Sequence, residues 1–183
     1  MAVNLVKGQR ISLEKEAGKA VARVIMGLGW DTGREQIDLD ASCALIGEDK
    51  SVLEAIYFSN KRSKNGSVQH SGDNLTGAGD GDDEQIKVDL GAVDAAVKHI
   101  VFAVTSYRGQ KFTSVKNAFV RIVDEATGKE LCRYSLSDQF PNTGVIMARL
   151  YRHNGEWKFA AIGEPADGRT VLDLKAKMQA SIG

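Results

Sequence analysis

The sequence predicts an all-β fold: a β-sandwich of eight or more short, mainly antiparallel strands, with a short internal helix and a C-terminal helix. Three observations carry that expectation. Apolar residues recur with period two in many short segments. Turn signals such as Asn65-Gly66 and Asn154-Gly155 separate those segments. Firm helical periodicity is confined to the end of the chain, where Val171, Leu174, Met178 and Ile182 follow a Thr170–Asp173 capping box.

Taken in order, Lys7-Gly8 reads as a turn before a short Arg10–Leu13 edge strand, and Ala20–Leu28 is a β-branched apolar run of strand length. The glycines of Gly27-Leu-Gly-Trp-Asp-Thr-Gly33 lack the spacing and the following helix of a dinucleotide fingerprint. In Ile37–Leu45 the odd positions are apolar, which places Asp38, Asp40 and Ser42 together on the opposite face. Strands are also expected at Val52–Phe58, Ser67–His70, Ile86–Leu90 and Ile100–Ser106, with one or two helical turns over Ala92–Lys98. Two hairpins complete the set. Asn117–Val123 and Glu130–Tyr134 flank Ala126–Lys129, and Val145–Arg152 joins Glu156–Ile162 through Asn154-Gly155, the favoured type I′ dipeptide. Pro141 and Pro165 read as loop punctuation.

A chain of 183 residues suits one domain and buries roughly 70% of its unfolded surface. Its 43% hydrophobic and 26% charged residues fit a globular protein, and 24 basic residues balance 24 acidic ones. That balance gives no general attraction to nucleic acid or to anionic lipid. No apolar run approaches a membrane span and the start lacks signal-peptide organisation, so a cytoplasmic location without membrane insertion is expected. Cys43 and Cys132 sit in apolar contexts and read as buried free thiols.

Against this neutral background one segment is strongly acidic. Gly72–Glu84 carries Asp73, Asp80, Asp82, Asp83 and Glu84, the oxygen donors Asn74 and Thr76, four glycines, and no Lys or Arg. Carboxylates about 4 Å apart repel by about 1 kcal/mol in water and about 4 kcal/mol at a partly shielded surface. A hard cation relieves that repulsion, and calcium takes six to eight oxygens from a mixture of carboxylates and neutral donors. Asp38 and Asp40, about 7 Å apart on one strand face, and Asp31 just upstream supply a second acidic wall. Asp73–Glu84 matches an EF-hand in length and end residues only. Leu75, Gly77 and Ala78 occupy its interior positions, and its flanks read as strands.

Catalytic signals are thin, and no enzymatic activity is expected. Asp82 and Asp83 lack the contrasting environments that acid/base pairs need. His70, His99 and His153 have no zinc-ligand spacing, and Trp30 and Trp157 read as packing residues. The alternative function is a divalent-metal-dependent enzyme acting on a phosphate ester or nucleotide, with the same carboxylates holding the metal.

Several motifs together resemble one family. Gly27-Leu-Gly-Trp-Asp31, Ile37-Asp-Leu-Asp-Ala41, His70–Glu84, Phe102-Ala-Val-Thr105 and Arg152–Phe159 are similar to the TerD family of tellurium-resistance proteins, across almost the whole chain. Ser106–Phe112, Asn117-Ala-Phe119, Thr143–Ile146 and Gly168-Arg-Thr170 most resemble its TerZ branch. The resemblance implies a calcium-binding β-sandwich over residues 1–183, serving the tellurite and chemical-stress resistance system as a binding or regulatory module. Its ligands would be Asp31, Asp38, Asp40, Asp73, Asn74, Thr76, Asp80, Asp82, Asp83 and Glu84, with backbone oxygens near Leu75 and Gly81. That set is large enough for two calcium ions. Partners are expected among the other proteins of the resistance system, a membrane-associated complex included.

Overall fold

Alternating strands each leave one apolar face to be covered, and two six-stranded sheets cover each other. The computed structural model describes residues 2–31, 38–71, 82, 84–136 and 140–182. Numbered in chain order, the first sheet runs β1 (Val3–Leu5), β10 (Glu130–Ser135), β9 (Lys116–Asp124), β3 (Arg23–Asp31), β7 (Glu84–Asp89) and β6 (Val68–His70). The second runs β2 (Arg10–Ser12), β12 (Glu156–Ala166), β11 (Gly144–His153), β8 (Val97–Ser106), β4 (Leu39–Gly47) and β5 (Val52–Ile56). The β1–β10 pair is parallel and the others are antiparallel.

The main core lies between the sheets, where Leu28, Trp30, Ile86 and Ile122 of the first meet Cys43, Phe102, Leu150 and Phe159 of the second. A smaller cluster lies on the outer side of the second sheet. There Val171, Leu174, Met178 and Ile182 cover Ala44, Ile46, Val101, Ala103 and Ile146. Those four residues belong to a single-turn 3₁₀ segment (Val171–Leu174), the helix α2 (Lys175–Ala180) and its end. The Thr170–Asp173 capping box forms as expected. Asn154 and Gly155 both adopt positive φ, at 51° and 77°, as a type I′ hairpin requires.

Two local expectations are corrected. The short internal helix is α1, Leu13–Ala17, capped by Ser12, and not Ala92–Lys98. The latter segment forms successive turns, and Val97 already belongs to β8. Arg152 donates to the carbonyls of Val93, Asp94 and Val97, and Val93 and Val97 face the main core, so tertiary partners take the groups a helix would have used. Pro165 lies inside β12, paired with Val145, and not in a loop. Since β2 pairs only with 158–160, β12 is an edge at Pro165, where a missing N–H is tolerated. Cys43 and Cys132 are buried and free, as read. Burial pushes the Cys43 thiol up and the Cys132 thiol to about 12.

Candidate metal site

The chain reversals bring the acidic stretches to one end of the sandwich. β3 ends at Asp31, β4 starts at Leu39, β6 ends at His70 and β7 starts at Glu84. Because Leu28 pairs with Glu84 and His70 with Ile86, the β3 terminus and the segment joining β6 to β7 lie at the same end. Of the candidate ligands, Asp31, Asp38, Asp40, Asp82 and Glu84 are described. Asp73, Asn74, Leu75, Thr76, Asp80, Gly81 and Asp83 lie outside the described residues.

The five described carboxylates occupy different environments. Asp31 is exposed and accepts a 2.7 Å hydrogen bond from Asn117 Nδ2, whose backbone is held at a positive φ of 55°. Asp38 and Asp40 are only 6% and 3% exposed. Asp40 pairs across the sheet with Thr105, which is fully buried and whose Oγ1 has no hydrogen-bond partner among the described residues. A hard-cation site needs such a neutral oxygen beside carboxylates, so the donor chemistry of Asp40, Asp38 and Thr105 fits calcium.

Asp82 lies on the outer face of the first sheet, directly above Gly27. A Cβ at Gly27 would collide with its carboxylate, so the glycine is required for this approach. Gln85 and Arg121 are the two cross-strand neighbours of Gly27, and both hold Asp82. Arg121 donates from Nε and Nη2 at 2.8 and 3.0 Å, a bidentate fork, and Gln85 Nε2 donates at 3.0 Å. The bond to Asp82 holds the Arg121 guanidinium above its ordinary pKa, against the opposing effect of burial. Arg121 also reaches Glu130, which Arg133 holds in turn. Burial pushes Glu130 up, but the hydrogen bonds from Arg133 and Arg121 outweigh it and leave the carboxyl below its ordinary value.

Glu84 turns the other way, into the space between the sheets, and is 1% exposed. Its Oε1 accepts a 2.7 Å hydrogen bond from Ala41 N and lies 3.3 Å from His70 Nε2, which is itself 3.0 Å from the Ala41 carbonyl oxygen. Pairing between β4 and β5 stops at Cys43 with Ile56, so Glu84 and His70 satisfy the peptide group of Ala41 where that neighbouring strand ends. Among the described residues, no three His, Cys, Asp or Glu side chains gather as one metal-ligand group.

Arg121 and Thr105 escaped the sequence reading because they lie far from the acidic segment along the chain, and His70 and Gln85, which flank it, because a single histidine or glutamine beside an acidic run has no distinctive spacing. The available signal was Gly27, a glycine in mid-strand, which marks close approach of another group.

A family model described as the TerD domain matches residues 1–174. The chain is 44% identical to the tellurium resistance protein TerZ of Serratia marcescens, covering 98% of each chain. It is 47% identical to general stress protein 16U of Bacillus subtilis (strain 168), covering 92% of this chain and 93% of that one. A crystal structure of a homologue of telluride resistance protein (TerD) from Streptomyces coelicolor A3(2) shares the fold. Its TM-score is 0.70 at 23% identity, over 87% of this chain and 98% of that one.

Proposed function

The chain belongs to the TerD domain family of tellurium-resistance and general stress-response proteins, and from that premise we propose that it binds calcium at the acidic end of its sandwich. In this reading the ion draws together the Asp31–Asp38 connection and the acidic segment between β6 and β7, and so presents an ordered surface to other proteins of the resistance system. One observation carries it: β3, β4, β6 and β7 deliver Asp31, Asp38, Asp40 and the boundaries of the acidic segment to the same end. The buried Thr105 Oγ1 beside Asp40, without a hydrogen-bond partner among the described residues, supports an oxygen-ligated cation there. No helix among the described residues is long and apolar enough to cross a membrane.

The roles divide. Asp38 and Asp40, with Asp73, Asp80 and Asp83, would hold the ion. Asp82 and Glu84 anchor the returning chain to Arg121 and Ala41. Calcium that binds only the native state raises stability by about 2.7 kcal/mol at a hundredfold excess over the dissociation constant. Calorimetric titration and thermal melts test this directly. Saturable heat and a raised Tm in calcium, both reduced in Asp40→Asn, are expected; identical melts in calcium and in chelator would exclude the reading.

A further inference from the structure

On the outer face of the second sheet, beyond the area that α2 covers, the strand register sets two arginines around an alanine. Ala160 of β12 pairs with Arg149 of β11 on one side and with Arg10 of β2 on the other. The two arginine backbones are therefore about 10 Å apart, two strand spacings, over a floor that carries only a methyl group. The next row along the face is Ser12, Lys158, Tyr151 and His99. Both guanidinium groups approach the Tyr151 ring, Arg149 at 4.5 Å and Arg10 at 5.9 Å from its centroid.

Arg149 is the unusual member. It is only 5% exposed, yet no carboxylate lies within salt-bridge distance of it or of Arg10 among the described residues. Its one hydrogen-bonded partner among the described residues is neutral: Nη1 donates to His99 Nδ1 at 3.0 Å. A guanidinium has five N–H donors, and a buried cation without an anion is costly. Lys50 and Lys98 add positive charge close enough to act on His99. Asp49, beside Lys50, accepts hydrogen bonds from Ser51.

We propose that the Arg10–Ala160–Arg149 niche binds a small divalent oxyanion. The anion sits over Ala160 and accepts from the guanidinium groups of Arg149 and Arg10, with Lys158 at its rim. It supplies the counter-charge that Arg149 lacks among the described residues. Phosphate and tellurite share the required chemistry, several anionic oxygens on a compact centre, and the experiment separates them. The site shares the outer face of the second sheet with Asp40 and Thr105 but lies farther along it, with Arg149 opposite Val101 and Asp40 opposite Thr105, and it stands or falls independently of calcium.

Thermal melts of the full chain in chelator, with sodium phosphate or sodium tellurite compared with chloride at equal ionic strength, provide the test. One or both oxyanions should raise Tm above chloride, with the increment lost in Arg149→Met and reduced in Arg10→Gln. The His99 ring resonances of the wild type should shift in the same titration, saturating at the same concentration. Arg10 is exposed on an edge strand, so Arg10→Gln remains informative if Arg149→Met does not fold. Increments no larger than with chloride, or increments that persist unchanged in Arg149→Met or Arg10→Gln, would overturn the assignment.

Discussion

At the residue scale, Gly27, Asp82 and Arg121 form one device. The glycine makes room, the carboxylate fills it, and the fork fixes it in place. Because the Asp82 side chain is only 3% exposed, Arg121→Leu leaves a buried charge and should cost about 2–3 kcal/mol in denaturant unfolding. Gly27→Ala should destabilise by about 1–3 kcal/mol, and a double-mutant cycle with Asp82→Gly should recover most of that loss. Additive losses would show that the two residues do not share a space. His99 provides a pH signature. Burial first, then Arg149, Lys98 and Lys50, push it from 6.5 down to about 4. The folded state thus binds fewer protons than the unfolded chain between those values, so this contribution is complete above about 6.5 and is lost as pH falls toward 4. Urea midpoints followed from neutral to acidic pH should fall less steeply in His99→Gln than in the wild type.

At the scale of elements, the pieces legible in the sequence were those defined by near neighbours. The Thr170–Asp173 box, the Asn154-Gly155 turn and the alternation through Leu39–Leu45 each involve residues within a few positions, and each forms in the structure. The apolar stripe of the C-terminal segment was readable for the same reason, although what it covers was not. Met178 is fully buried in that contact, and Met178→Ala should lower stability by about 2–4 kcal/mol, measured by chemical unfolding. The misread elements are those settled by distant partners. An alanine-rich Ala92–Lys98 favours helix locally, but Arg152 and the inter-sheet core hold it in turns. Pro165 survives in β12 only because β2 is too short to reach it.

For the whole molecule, the decisive contact joins the two sheets. Glu84 reaches from β7 to the Ala41 peptide of β4, beside His70 of β6. Glu84→Ala strands the Ala41 N–H in the interior and should cost about 2–3 kcal/mol in chelator, with Glu84→Gln recovering part of it. A loss seen only in calcium would instead make Glu84 a ligand. By itself the sequence determined the sandwich, most of its strands, the face shared by Asp38 and Asp40, and the concentration of hard oxygen donors, because each is written in periodicity or in composition over a few residues. Only the tertiary structure decided how the acidic residues are used. Arg121 lies 39 positions from Asp82, and Ala41 lies 43 positions from Glu84. Such partners carry no local signal, so neighbouring carboxylates that look alike along the chain are sent to opposite faces of one sheet. The same holds for Arg10 and Arg149, which meet across Ala160 only because β2, β12 and β11 are laid side by side.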